Sequence, residues 1–403
     1  MKVMYIDGVG PFGGASRSLF EAVQVLSGDS VSPVFVAADG TAANFYRKVA
    51  TDTVLTRGLS RFDNTQYSHY RGMRWLVLLR EIFHFPYTVQ ALLKARRKWN
   101  DVDVIHVNEV TEIIPGLLAK RLFGKPLVVH VRSPQRQDTH TLRTRWVNRM
   151  LRKHADAVIA INENTRATLP ADIQVEVIQN SFTAKRSASE DAVILGKLDS
   201  LDPSSLKVGF VGNLHHSKGL FDLAEAARLL KERNKNVEFL IVGGVAKSDK
   251  GIKAWLLAKA GLAQDVQQKL REKIEEYGIA DSFHMLGATN DIQCVYERLD
   301  VISFPSHYDA PGRPVFEAAF SAVPSIVCVS RPYPDTLIEG ETGLAIPARN
   351  PEALANAISH FSDDRSEVLR MGERAKRLAI ENFVPATNAK KLFALYQKVA
   401  SVR

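Results

Sequence analysis

"VISFPSHYDAPGRPVFEAA", residues 301–319, decides how the chain is read. Val301-Ile302-Ser303-Phe304 is an apolar, β-rich run of the kind that forms a buried strand. Pro314 suits the first turn of a helix, where its missing N–H costs nothing, and Gly312 and Arg313 make the turn before it. Two acids stand on this strand–loop–helix unit. Asp309 lies in the loop above the strand end, and Glu317 about one turn into the helix. At the mouth of a cleft, two carboxylates suit a hydroxyl-rich ligand, because each oxygen accepts from an O–H. An acid that only complements the helix dipole is the competing reading of Glu317.

The same unit repeats in both directions. "KVMYID" (2–7) is a strand followed by a glycine loop and the helical pattern "ASRSLFEAVQVL". "DVIHVN" (103–108), "PLVVHV" (126–131) and "AVIAIN" (157–162) are short strand-like runs with helical stretches between them. Residues 181–205 are polar and Ser-rich and read as a linker. The pattern then restarts with "KVGFVGN" (207–213), a helix, "VEFLIVGG" (237–244), a helical region over about 251–277, and the strands "SFHMLG", "VISFPS" and "PSIVCVS". Strands alternating with helices predict parallel α/β sheets, and the restart predicts two Rossmann-like doubly wound domains. The expected division is residues 1–182, a linker 183–205, and a second domain 206–385. Ligands of open parallel sheets gather beyond the carboxyl ends of the strands.

The chain has 403 residues, 45% of them hydrophobic, which is ample for two cores. Glycine and proline are ordinary in number, which excludes collagen-like repeats and extended disorder. Cys294 and Cys328 lie in no metal-like spacing and read as buried thiols of a reducing compartment. No run reaches the length of a membrane span. The N-terminal apolar run is short and holds Asp7, unlike a signal peptide. The expectation is a cytoplasmic protein, soluble or bound to the inner face of a membrane.

Two loops have the make-up of phosphate sites. "DGVGPFGGASRS" (7–18) joins a strand to a helix, and Gly8, Gly10, Gly13 and Gly14 permit close backbone approach. It is neither a dinucleotide fingerprint nor a Walker loop, so a plain flexible loop stays open as a reading. "VGNLHHSKGL" (211–220) places Lys218-Gly219 before a helix, where a lysine meets a diphosphate as a point charge. His215-His216 and the "DVD" at 101–103 lack the context of metal sites, and no metal is expected.

These stretches, taken together and in order, resemble the GT-B glycosyltransferases of family 4, the retaining "glycosyl transferase group 1" class, over nearly the whole length. "LDVISFPSHYDAPGRPVFEAAFSAVPSIV" resembles that family's strand, acid-x7-acid motif, helix and next strand. "EGETGLAIPARNPEALANAI", "GNLHHSKGL", "VIQNSF" and "HADAVIAINENTRATL" are similar to further landmarks. The resemblance implies a nucleotide-diphosphate sugar of UDP or GDP type as donor, and a carbohydrate or polyprenyl-linked acceptor. It implies Glu317 at the ribose, Asp309 and the backbone of Gly312, Arg313, Pro314 and Val315 at the donor sugar, and Lys218 with Gly212 and Asn213 at the diphosphate. Gly13 and Gly14 would close on the donor from the N-terminal domain. It also implies metal-independent chemistry, with the diphosphate stabilised by Lys218 and helix N-termini, and a C-terminal helix (about 386–403) packing back across the domains. The chain departs from the pattern at Asp309, commonly Glu, and at Asn213, commonly Arg, where Arg313 would compensate. It departs again at Arg132, where relatives carry a histidine after the strand. His130, two residues earlier on the same strand face, is the alternative.

The charge is uneven. Net charge is +9, and residues 1–180 hold 24 Lys and Arg against 16 Asp and Glu. Residues 71–100 and 132–153 each carry seven cations and one acid, interspersed in the first with Leu78, Leu79, Phe83 and Phe85. They read as a face for anionic lipid or a lipid-linked acceptor, or as solvated helix faces over an ordinary core. No nucleic-acid-binding motif accompanies the charge, so nucleic acid is not an expected partner. A nucleotide-sugar epimerase on the same fold and a non-catalytic sugar- or lipid-binding scaffold are the alternative functions.

Overall fold

The computed structural model describes residues 1–28, 30–66, 76–184, 192–244, 266–289 and 291–401. The chain forms two units, Met1–Phe182 with Asn382–Arg403, and Thr183–Glu381.

The first unit is built on seven parallel strands: β1 (Lys2–Asp7), β2 (Ser32–Ala38), β3 (Asp52–Thr56), β4 (Val104–Val107), β5 (Leu127–Val131), β6 (Ala157–Ala160) and β7 (Val175–Val177). Their order is β3-β2-β1-β4-β5-β6-β7. Successive side chains face opposite sides of the sheet. Met4, Ile6, Val107, Val129 and Val131 meet a layer made of the helices Leu76–Lys98, Ile113–Phe123 and Leu142–His154. Tyr5, Val104, Val128 and Ile159 meet the helix Gly14–Leu26 and the C-terminal helix Pro385–Ser401. Both faces are covered, so the strands read as continuous apolar runs. The strand order switches at β1 and β4: β2 and β3 lie to one side of β1, and β4 to β7 lie to the other, all of them parallel. The two acids of the "DVD" stretch bind Lys2. Asp101 pairs with its ammonium at 2.6 Å, and Asp103 accepts from its backbone N–H at 2.8 Å.

The second unit has six parallel strands: β8 (Leu206–Val211), β9 (Val237–Val242), β10 (Phe283–Gly287), β11 (Val301–Phe304), β12 (Ser325–Cys328) and β13 (Gly343–Ile346). Their order is β10-β9-β8-β11-β12-β13, with Val301 opposite Val208 in the central pair. The helices Leu220–Glu232 and Pro351–Asp363 close one face over Phe210, Phe239 and Ile326.

The polar stretch expected as a bare linker is partly helical, over Ala192–Asp199, because Ile194 and Leu198 find burial. Residues 185–191 lie outside the described residues, as does 251–265 of the expected long helix; its remainder is the helix Val266–Glu276. The C-terminal helix belongs to the first unit. Its Tyr396 hydroxyl lies 2.6 Å from His106 Nδ1. Cys294 and Cys328 are buried thiols.

Candidate active site

In the second unit the order of strands switches between β8 and β11, and the two loops that follow these strands are tied together. Gly219 makes this approach possible. Its φ is +72°, and a Cβ there would stand 1.9 Å from the Pro305 carbonyl oxygen, so only glycine fits. The Ser217 carbonyl accepts from His307 N–H at 2.9 Å, and Ser217 Oγ lies 2.9 Å from the Tyr308 hydroxyl. His215 Nδ1 accepts from Ser217, so the tempting His215-His216 pair is part of the turn. His307 Nε2 meets Asp222 at 2.7 Å.

Lys218 is thereby set over two rings, 5.3 Å from the centre of Phe304 and 5.2 Å from that of Tyr308. Its ammonium has no ion pair or hydrogen bond among the described residues, and burial pushes its pKa down. A half-buried cation without a carboxylate is an anion site in waiting. Gly212 and the exposed Asn213 lie on the same loop.

The β11 side supplies oxygen acceptors. Asp309 is exposed and accepts from the backbone N–H of Ser330 at 2.6 Å and from its hydroxyl. Gly312 caps the helix Arg313–Ala319, with Pro314 in its first turn and Val315 buried against Phe304 and Val327. A Cβ at Gly312 would meet the Phe304 ring at 2.3 Å.

Glu317 differs from the expectation of a second open carboxylate. It is 3% exposed. One oxygen accepts from Arg313 Nε at 2.8 Å and the other from the Tyr296 hydroxyl at 2.8 Å. A charge that deep must be paired, and the i,i+4 arginine does this. Arg313, expected to stand in for a phosphate cation, spends its Nε on Glu317. Sequence reasoning missed Tyr296. It sits in the apolar run Ile292–Tyr296 and looks like core until its hydroxyl is traced.

In the first unit the corresponding switch is between β1 and β4. Gly13 and Gly14 are exposed there, and a Cβ on Gly13 would meet nothing within 4 Å. The same unit buries three acids to which the sequence reading gave no role in a site. Asp7 accepts from Val9 N–H at 3.0 Å, from Ser16 at 3.1 Å and from the Tyr46 hydroxyl. Glu112 accepts from Gly8 N–H at 2.5 Å. Glu109 accepts from Val110 N–H at 2.8 Å and from the Ser133 hydroxyl at 3.0 Å. Burial raises the pKa of all three, Glu109 to about 7. The signal available was Glu109-x-x-Glu112 directly after a strand.

Arg132 and His130, read as alternatives, have different surroundings. Arg132 is half-buried past the end of β5. Its Nε donates to Asn108 Oδ1 at 2.8 Å and its Nη1 to Asn180 Oδ1 at 2.7 Å. His130 is 4% exposed and packs against His106, ring centres 5.4 Å apart. Neither of its ring nitrogens has a hydrogen-bond partner among the described residues, and burial drives its pKa well down. The side chain is thus an interior, neutral imidazole, and Arg132 is the group nearer the surface.

Known proteins share both halves of this chain. Residues 12–186 match the family model Glycosyltransferase Family 4, and residues 200–378 match Glycosyl transferases group 1. The lipopolysaccharide core biosynthesis mannosyltransferase LpcC of Rhizobium leguminosarum bv. viciae is 26% identical over 310 residues, 76% of this chain and 79% of that protein. The D-inositol 3-phosphate glycosyltransferase of Corynebacterium diphtheriae is 24% identical over 349 residues, 83% of this chain and 70% of that protein. Among solved structures, Anabaena Alr3699/HepE in complex with UDP has a TM-score of 0.76 at 18% identity, covering 99% of this chain and 100% of that one. Sucrose-phosphate synthase from Thermosynechococcus elongatus has a TM-score of 0.73 at 18% identity, with 100% of both chains covered.

Proposed function

We propose, given that this chain belongs to the GT-B glycosyltransferases of the group 1, family 4 type, that it moves a sugar from a nucleotide-diphosphate donor to a carbohydrate or lipid-linked acceptor. The product would be a surface polysaccharide or glycolipid. The observation that carries this reading is Lys218, a half-buried cation with no carboxylate partner, held beside the loop that bears Asp309. Relatives named as lipopolysaccharide mannosyltransferases, and a similar fold solved with UDP, support it.

In this reading Lys218, with the backbone of Gly212 and Asn213, takes the diphosphate of a UDP- or GDP-type donor. Glu317 takes the ribose hydroxyls. Asp309 and the Gly312–Val315 backbone take the sugar. Gly13, Gly14 and Arg132 are assigned to the sugar and acceptor chemistry of the first unit. The acceptor oxygen bonds to the anomeric carbon on the face from which the diphosphate leaves. The bond to the phosphate oxygen breaks, and the acceptor proton passes to that oxygen, so configuration is retained. Lys218 stabilises the charge that develops on the departing group. No metal is assigned a part.

The test is a thermal-shift panel of UDP, GDP, ADP, dTDP and CMP, with and without magnesium, on wild type and Glu317→Ala. A ligand at 100 times its Kd adds about 2.7 kcal/mol of stability. The expected result is a shift with one diphosphate, insensitive to magnesium and lost in the variant. No shift with any of the five overturns the reading. Conversion of a donor sugar without acceptor would assign an epimerase instead.

A further inference from the structure

Ten large apolar side chains stand exposed among the described residues, and five of them are on one helix, Leu76–Lys98. Ala91, Leu92 and Ala95 bury its inner side against the first unit's sheet. The opposite stripe runs Leu79, Ile82, Phe83 and Pro86 at the three- and four-residue steps of one helical face, and resumes seven residues on at Leu93. Leu79, Ile82 and Phe83 are 61%, 62% and 59% exposed. The stripe ends in cations, Lys94 and Arg97. The helix's lone acid, Glu81, is turned inward, where it accepts from Arg61 N–H at 2.8 Å.

The helices Ile113–Phe123 and Leu142–His154 lie in the same layer and add Arg121, Arg145, Arg149 and Lys153 to its outer side. None of these four, nor Lys94 or Arg97, has an ion pair among the described residues. Residues 71–75 of the expected basic segment lie outside the described residues.

We propose that the outer face of this helical layer docks on an anionic lipid bilayer. The helix Leu76–Lys98 lies in the plane of the surface, with Leu79, Ile82 and Phe83 entering the boundary between headgroups and acyl chains. Aliphatic and aromatic knobs ringed by unpaired cations have the chemistry of an interfacial amphipathic helix. Each nearby cation adds attraction to acidic headgroups. No described helix is long and apolar enough to cross a membrane, so contact from one side is the geometry available. The proposal goes beyond sugar transfer and needs no donor or acceptor.

The experiment is co-sedimentation of the full chain with extruded vesicles. One set is phosphatidylcholine alone, and the other is a phosphatidylcholine–phosphatidylglycerol mixture. Wild type is expected to pellet with the mixture and not with phosphatidylcholine alone. The triple variant Leu79→Ser, Ile82→Ser, Phe83→Ser should lose about a hundredfold or more in partitioning. The pair Arg145→Gln, Arg149→Gln should lose about tenfold or more. These side chains are exposed, so unchanged melting checks that the variants fold. Four results would overturn the proposal. One is no pelleting of wild type with the mixture. Another is equal pelleting of the triple variant, which would leave charge alone. The third is a wild-type dimer that the triple variant abolishes, which would assign the face to a second copy. Binding of single-stranded RNA in place of vesicles would assign it to nucleic acid and likewise overturn it.

Discussion

Replacing Lys218 with Met keeps most of the aliphatic stem over Phe304 and Tyr308 and removes only the charge. The structure separates two effects of this change. With ligand, a charge-assisted hydrogen bond to phosphate is lost, about 1.5–3 kcal/mol, or about 10- to 150-fold in Kd. Without ligand, the variant should be no less stable. The wild-type ammonium is half-buried without a carboxylate, and its folded-state pKa lies below that of an unfolded lysine. The unfolded chain therefore holds the proton more tightly. The resulting cost is fully present below the folded-state pKa and is relieved as pH rises through it toward about 10.4. Two ring contacts, about 0.5–1 kcal/mol each where exposed, offset part of that cost. Titration calorimetry with the nucleoside diphosphate found in the panel, and with its nucleoside as control, measures the first effect. Urea unfolding measures the second. The expected outcome is weak diphosphate binding, unchanged nucleoside binding and undiminished stability. Unchanged diphosphate affinity would remove Lys218 from the site. A loss of 3–5 kcal/mol in stability, the signature of a broken buried ion pair, would refute the isolated-cation argument.

Two further outcomes follow from buried hydrogen bonds. Tyr296→Phe leaves one oxygen of Glu317 without its donor and should lower unfolding stability by about 1–3 kcal/mol. It should also narrow the preference for ribo- over 2′-deoxyribonucleotides, since the carboxylate is no longer fixed; an unaltered preference counts against Tyr296 as a positioning residue. His106→Asn tests the interior of the first unit by pH. Burial lowers His106 to about 3, so the unfolded chain takes up the proton first, and stability falls as pH drops below about 6.5. From pH 7.5 to 5 the wild type should lose about 2 kcal/mol more than the variant. Comparing the two proteins cancels the opposite contribution of Glu109, whose raised pKa favours the folded state at lower pH. A gap independent of pH would mean that His106 titrates normally.

The alternation of strands and helices was legible because both sheets are buried on both faces, which makes β1, β5, β8 and β11 apolar runs that stand out. β7 is three residues long and half-buried, and β13 carries the Gly343-Leu-Ala-Ile run inside a stretch noticed only as a motif. Such short segments have too little pattern to read. Lys218 and Asp309 were legible because glycine and proline mark the turns that carry them. The pairing of Glu317 was not, since Tyr296 is a neighbour only in space. The burial of the acids Asp7, Glu109 and Glu112 was illegible for the same reason: it is decided by what folds over them. The polar stretch before β8 hid a helix because its two buried residues, Ile194 and Leu198, are outnumbered by polar ones.

The C-terminal helix has a consequence for how the chain is made. Leu392, Leu395, Tyr396 and Val399 complete the apolar layer on one face of the first sheet. A ribosome makes these residues only after the whole second unit. During synthesis the first sheet therefore waits with that face covered only by the helix Gly14–Leu26 and His106 lacking its tyrosine, while Thr183–Glu381 can already close its own core. The first unit to begin is the last to finish. A chain truncated before Pro385 should leave the ribosome with a finished second unit and an open first one.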